Sequence, residues 1–150
     1  MVSSTDIALI HRLADAARAE IRPLFRTLMD SESKGDSTPV TLADRNAEAA
    51  MRRLIEAEAS ADGIVGEEYG EKQGVSGRQW VLDPIDGTTA FLAGRPIFGT
   101  LIALLEGGFP VLGVIDQPIL RERWLGIVGK PTTFNGQPVR TRLCPELGRA

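Results

Sequence analysis

The chain has 150 residues, 43% of them apolar and 25% charged, which suits one globular domain with a buried core. A net charge of −3 gives no electrostatic pull toward nucleic acid or an anionic membrane surface, and no apolar run approaches a membrane span. The single Cys144 excludes an internal disulfide, and the first residues lack the basic-then-apolar pattern of a secretory signal. A soluble cytoplasmic protein with a buried or unremarkable thiol is expected.

Ser3-Ser4-Thr5-Asp6 reads as a helix start, with a hydroxyl ahead of an acid that suits the positive end of the helix dipole. Ile7, Ile10, Leu13, Ala17, Ile21, Leu24 and Leu28 recur at helical spacing, and Pro23 predicts a kink or a division of that helix. His11, the only histidine, lies inside it without a visible partner and reads as structural or solvent-exposed. Asp30 to Pro39 is polar and reads as a mobile loop. Thr41-Leu42-Ala43-Asp44 then opens a second helix whose Ala47, Met51, Leu54 and Ile55 face the core; locally, Asp44 reads as a first-turn acid held by the dipole.

Gly63-Ile64-Val65-Gly66 is a short buried strand ending in Glu67-Glu68. Adjacent side chains on an extended strand point opposite ways, so only one of these acids can face a site. Trp80-Val81-Leu82 predicts a second buried strand that delivers Asp83, and Pro84 keeps Asp83 extended. Gly87 permits a sharp turn, and Thr88 or Thr89 is a candidate cap for a short helix toward Leu92. Phe98 to Leu105 and Phe109 to Ile115 form a hairpin around Glu106-Gly107-Gly108, Arg123 to Ile127 a further strand, and Asn135-Gly136 a turn closing onto Val139-Arg140. Helices first and short-turn strands afterwards predict an α+β architecture with a largely antiparallel sheet.

The chemistry narrows by elimination. GxxxxGK[ST] and a strand-linked GxGxxG are absent, and one Cys with one His cannot build a zinc site. A serine triad would need a better base than His11, and Cys144 is followed by Pro145 and Glu146 rather than a basic environment. Asp44, Glu67, Asp83 and Asp86 remain, each near an element terminus. Such oxygen donors suit Mg2+, which keeps several waters and shares its shell with substrate phosphate.

These residues carry a family resemblance. Gly66-Glu67-Glu68, Trp80-Val81-Leu82-Asp83-Pro84-Ile85-Asp86-Gly87-Thr88-Thr89 and the upstream Pro39-Val40-Thr41-Leu42-Ala43-Asp44 resemble the inositol monophosphatase-like superfamily of Mg2+-dependent, lithium-sensitive phosphomonoesterases. Phe91 to Leu104 and Gly113-Val114-Ile115-Asp116-Gln117-Pro118 are similar to its bacterial histidinol-phosphate phosphatase branch. The resemblance implies a layered α/β/α fold, of which residues 1–150 would be the N-terminal metal- and phosphate-binding half. The second half, with a W-D-x-A-A-type motif, has no counterpart after Arg142, and a sheet left open there would favour association.

The resemblance also implies roles. Glu67, Asp83 and the Ile85 carbonyl would hold one Mg2+, with Asp83 bridging to a second held by Asp86; two or three ions, with Mn2+ as a substitute, are the implied cofactors. Asp44 and Thr88 would orient and help deprotonate the attacking water, with Glu67 beside them. The Gly87 and Thr88 N–H groups would cradle the phosphate, next to Glu67, Ile85 and Asp86, and Lys34 is a candidate to approach the site from the loop. The implied substrate is a small phosphomonoester, first L-histidinol phosphate, with inositol-1-phosphate and other sugar or nucleotide phosphates as alternatives. Neither nucleic acid nor membrane is an expected partner, and a homodimer is the assembly common in the family. A truncated, catalytically silent metal-binding or dimerising module is the competing reading.

Overall fold

A computed structural model of the chain describes residues 2–27 and 39–149. Helix α1, Ser4–Ile21, starts on a reciprocal cap: the Ser3 hydroxyl accepts the Asp6 N–H, and the Asp6 carboxylate accepts the Ser3 N–H. Ile10, Leu13, Ala17 and Ile21 are buried along one face, as the spacing predicts. Pro23 ends this helix rather than kinking it. The chain passes into a single 3-10 turn, Arg22–Leu24, because proline brings no N–H and its ring crowds the carbonyl a turn earlier. Leu28, the loop residues 30–38 and Lys34 lie outside the described residues.

Helix α2, Pro39–Glu58, begins two residues before Thr41 and takes in Pro39, the expected end of the loop. Proline suits a first helical position, where an N–H would lack an intrahelical partner anyway. Ala43, Ala47, Met51 and Ile55 are buried, and with Ala14 and Ala17 of α1 these small side chains let the two helices pack closely.

The strands are β1 Gly63–Gly66, β2 Gly70–Lys72, β3 Arg78–Asp86, β4 Gly99–Glu106, β5 Phe109–Gln117, β6 Glu122–Ile127, β7 Thr133–Phe134 and β8 Gln137–Pro138. They form one sheet in the order β2-β1-β3-β4-β5-β6-β7-β8, antiparallel throughout except for the β1–β3 pair. The expected α+β class with a largely antiparallel sheet is therefore what forms. The final hairpin turns at Asn135-Gly136, both with positive φ, but its second strand stops at Pro138 and does not reach Val139-Arg140. Proline cannot donate to a ladder, which limits that strand to an edge stub.

Helices α1 and α2 cover one face of the sheet, where Ile64, Trp80, Leu82, Ile102, Leu104, Leu112 and Val114 are buried. On this face Asp116 of β5, fully buried, is paired with Arg18 of α1 at 2.5 Å and Arg123 of β6 at 2.7 Å. His11 is half-buried and does have a neighbour: its carbonyl accepts from Arg123 Nη1, and its ring Nδ1 lies 3.1 Å from the same nitrogen. Residues with the opposite alternation, among them Val81, Leu101, Ala103, Ile115 and Trp124, line an open apolar hollow of about 630 Å3. Cys144 is exposed, not buried.

Candidate active site

The β1–β3 register brings the first two acids together. Gly66 lies opposite Leu82 in the parallel pair, so Glu67 and Asp83 leave neighbouring strands at the same end. Strand β3 runs past Asp83 to Asp86, and its pairing with β4 is irregular there: Asp83 faces Leu101 and Asp86 faces Gly99. Three steps on one strand thus match two on the other, which is a bulge at Pro84-Ile85, where proline has no N–H to give the ladder. Thr100, fully buried, pins the bulge by donating its hydroxyl to the Pro84 carbonyl at 2.7 Å. In a regular strand, residues three apart point to opposite faces; the bulge removes that opposition for Asp83 and Asp86.

Gly87 follows with φ +95°, a left-handed conformation, and is itself the cap residue of helix α3, Thr88–Leu92. Its carbonyl accepts from the N–H groups of Ala90 and Phe91. Neither Thr88 nor Thr89 is the cap, contrary to the expectation from their hydroxyls, because both lie inside the helix. This leaves the Thr88 side chain exposed beside Asp86 and Gly87. Phe91 anchors the short helix in an aromatic cluster with Phe25 and Phe98, with ring centroids 5.2 to 5.5 Å apart.

Asp44 is 5% exposed and lies in the second turn of α2, beyond the reach of the dipole, so the local reading of a first-turn acid does not hold. Burial raises its pKa from 3.8 to about 7; the nearby charges of Glu68, Glu67 and Asp83 add to this, and a hydrogen bond from the Ile85 N–H opposes it. Asp83 is pushed up to about 6, again by burial first and then by Glu67 and Asp86, with the Ile85 N–H opposing. Ile85 itself is buried, with its side chain in the core and its backbone among the acids. Glu68 is raised as well, by burial and by the charges of Glu48 and Glu67, while Arg45 opposes. The alternation argument for Glu67 and Glu68 fails because the strand ends at Gly66 and both acids sit on a turn. Both act on Asp44, and Glu68 acts more strongly.

Two further observations describe the fit to a hard cation. The Asp83 Oδ1 is buried and has no hydrogen-bond partner, a costly state for a carboxylate oxygen that a cation would relieve. Among the described residues, no three His, Cys, Asp or Glu side chains are already gathered into a metal-binding set. Asp44, Glu67, Asp83 and Asp86 are therefore electrostatic neighbours at one end of the sheet rather than a closed cage. The donor chemistry fits Mg2+, with side-chain rotation needed to close it. Sequence reasoning missed Glu68 and the buried Glu48; the i,i+4 spacing of Asp44 and Glu48 on one helix face was the available signal for the latter.

The inositol monophosphatase family model matches residues 3–150. The chain is 50% identical to the bifunctional phosphatase IMPL2, chloroplastic, of Arabidopsis thaliana, over 95% of this chain and 42% of that one. It is 42% identical to the histidinol-phosphatase of Mycobacterium tuberculosis, over 86% of this chain and 50% of that one. A solved inositol monophosphatase from Zymomonas mobilis superposes with a TM-score of 0.85 at 54% identity, covering 96% of this chain and 56% of that one. The chain spans about half the length of the curated relatives it matches.

Proposed function

Since this chain belongs to the inositol monophosphatase family, we propose that it supplies the metal- and phosphate-binding half of a Mg2+-dependent phosphomonoesterase. The observation that carries this reading is the orphaned, buried Asp83 Oδ1 set among Asp44, Glu67 and Asp86. Glu67, Asp83, the Ile85 carbonyl and Asp86 would hold two or three Mg2+ ions, with Mn2+ as a substitute. When bound, such ions neutralise phosphate charge and make water a better nucleophile at neutral pH.

The remaining work falls to the chain's own groups. Asp44, whose proton affinity lies near neutrality, is suited to accept a proton from the attacking water at its carboxylate. Thr88 would share that proton through its hydroxyl. The first-turn N–H groups of α3 have no intrahelical partners, so those of Gly87 and Thr88 are available to orient phosphate oxygens. Fixed positions matter more than covalent chemistry in phosphoryl transfer.

L-Histidinol phosphate is the favoured substrate, supported by the likeness to the Mycobacterium tuberculosis protein. Inositol-1-phosphate is the second reading, favoured by the Zymomonas mobilis likeness at higher identity. The ratio of kcat/KM for the two substrates decides between them. No described helix is long and apolar enough to cross a membrane. A cytoplasmic location and a homodimer complete the proposal. The test is phosphate release across a panel of phosphomonoesters: Asp83→Asn is expected to abolish the Mg2+-dependent rate, and an unchanged rate would sink the assignment. A wild-type protein that binds Mg2+ but releases phosphate from no member of the panel would favour the silent-module reading.

A further inference from the structure

The turn that carries Glu67 is held by a side chain outside the acidic constellation. Glu48 follows Asp44 by one helical turn on the same face of α2, and it is fully buried. Its Oε2 accepts the Glu68 N–H at 2.7 Å; its Oε1 accepts the Tyr69 N–H at 3.2 Å and Arg52 Nε–H at 2.7 Å. Arg52 reaches on through Nη2 to donate to the Gly70 carbonyl. The guanidinium groups of Arg45 and Arg52 lie over the Tyr69 ring, 5.6 and 5.9 Å from its centroid. Gly66 closes the remaining side: a Cβ there would stand 2.0 Å from Glu48 Oε1, so the carboxylate rests against bare backbone.

Three hydrogen-bond donors therefore converge on this carboxylate. Glutamate offers only acceptors and satisfies all three. Glutamine would turn an NH2 group toward at least one donor and lose the charge that pairs with Arg52. An apolar side chain would leave two part-buried backbone N–H groups without their acceptor. The chemistry selects the residue: it holds the backbone that follows Glu67 by two hydrogen bonds and packs against Gly66 before it.

We propose that Glu48 is a positioning residue for cation binding. It fixes the turn bearing Glu67 against the helix bearing Asp44, so that both acids meet Asp83 in one place. The proposal rests on the functional reading above, since it concerns the same acids. It adds that α2 contributes twice, once through Asp44 at the site and once through the brace one turn later.

The experiment is calorimetric titration of the full chain with MgCl2 alone, comparing wild type, Glu48→Gln and Gly66→Ala. Gly66→Ala displaces the carboxylate while leaving Glu48 in place. Both variants are expected to weaken Mg2+ binding by ~10–100-fold, the range for residues that support metal ligands. At saturating Mg2+ the KM for the phosphomonoester is expected to be unchanged, because the brace touches no substrate. A purely structural role would lower the melting temperature and leave the Mg2+ affinity of the folded protein unchanged; that result overturns the proposal. A wild type that binds no Mg2+ overturns the functional reading and this inference together. Mg2+ binding without phosphate release removes the former only. Should neither variant fold, amide exchange in the wild type decides. Glu68 and Tyr69 N–H groups protected without cation and slowed further by Mg2+ support the brace, whereas unprotected or Mg2+-indifferent amides overturn it.

Discussion

Replacing Asp44 by Asn should stabilise the cation-free protein at alkaline pH while removing its activity. The Asp44 carboxyl has its pKa raised from 3.8 to about 7 by burial and by Glu68, Glu67 and Asp83, so the fold holds its proton more tightly than the unfolded chain does. Below pH ~4 both states are protonated and Asp44 costs the fold little. As pH rises from ~4 to ~7 the unfolded state releases its proton first and the fold loses stability, until above ~7 the loss is complete. At ~1.4 kcal/mol per pH unit, that interval corresponds to ~4 kcal/mol. Asparagine can still accept from the Ile85 N–H, and relaxation around the site reduces the figure, so Asp44→Asn should gain ~2–4 kcal/mol over wild type at pH 8. Near pH 4 the gain should vanish. The assay is urea unfolding in EDTA at several pH values, followed by the fluorescence of Trp80 and Trp124. Added Mg2+ should close the gap by stabilising the wild type more, and phosphate release by the variant should fall by ~10²–10⁴-fold. Parallel stability profiles for the two proteins between pH 4 and 8 would refute the buried-acid argument.

Three other outcomes are expected. Gly87→Ala meets both a left-handed backbone and a Cβ contact of 3.3 Å with Phe98, so a loss of ~1–3 kcal/mol is expected in thermal or urea unfolding; unaltered stability would show that the turn adapts. Thr100→Val strands the buried Pro84 carbonyl and should cost ~1–3 kcal/mol, read from the urea midpoint at constant slope. Residues 1–150 alone are expected to associate through the uncovered apolar face of the sheet, seen as a mass above 16.2 kDa in light scattering. A monodisperse monomer with cooperative unfolding would contradict that.

Much of the scaffold is legible in local pattern. Ile64-Val65 between two glycines, Trp80 to Leu82 before a proline, and the Glu106-Gly107-Gly108 turn all pair a short apolar run with a breaker, and each becomes the strand or hairpin expected. Strand β2 escapes because Gly70-Glu71-Lys72 has neither apolar alternation nor β-branched residues; it forms only because β1 offers it a partner. The cap of α3 escapes for a related reason. Two threonines advertise a hydroxyl cap, but the left-handed Gly87 starts the helix one residue earlier. At the site, Asp83, Asp86 and Glu67 stand out as acids at element ends, and Asp44 stands out through its upstream motif although it sits a turn inside α2. The part played by Glu68 does not, because it depends on where β1 stops. Glu48 is hidden more deeply, since a glutamate in mid-helix ordinarily means a solvated face, and only the backbone of a segment twenty residues away explains its burial.

The bulge at Pro84-Ile85 makes the acid pair a matter of the residues between as much as of identity. Keeping both aspartates but deleting one residue between them would return β3 to strict alternation; the carboxylates would still share a face, but the Pro84 carbonyl that holds Thr100 or the Ile85 N–H that serves the acids would be lost. Composition would hardly change, and a motif search tolerant of gaps would still find two acids and a glycine. Insertions at the Gly107-Gly108 turn, by contrast, lengthen a solvent-facing connection and leave every carboxylate where it is. Tolerance to length change is thus distributed very unevenly along this chain, and its minimum falls on the three steps from Asp83 to Asp86.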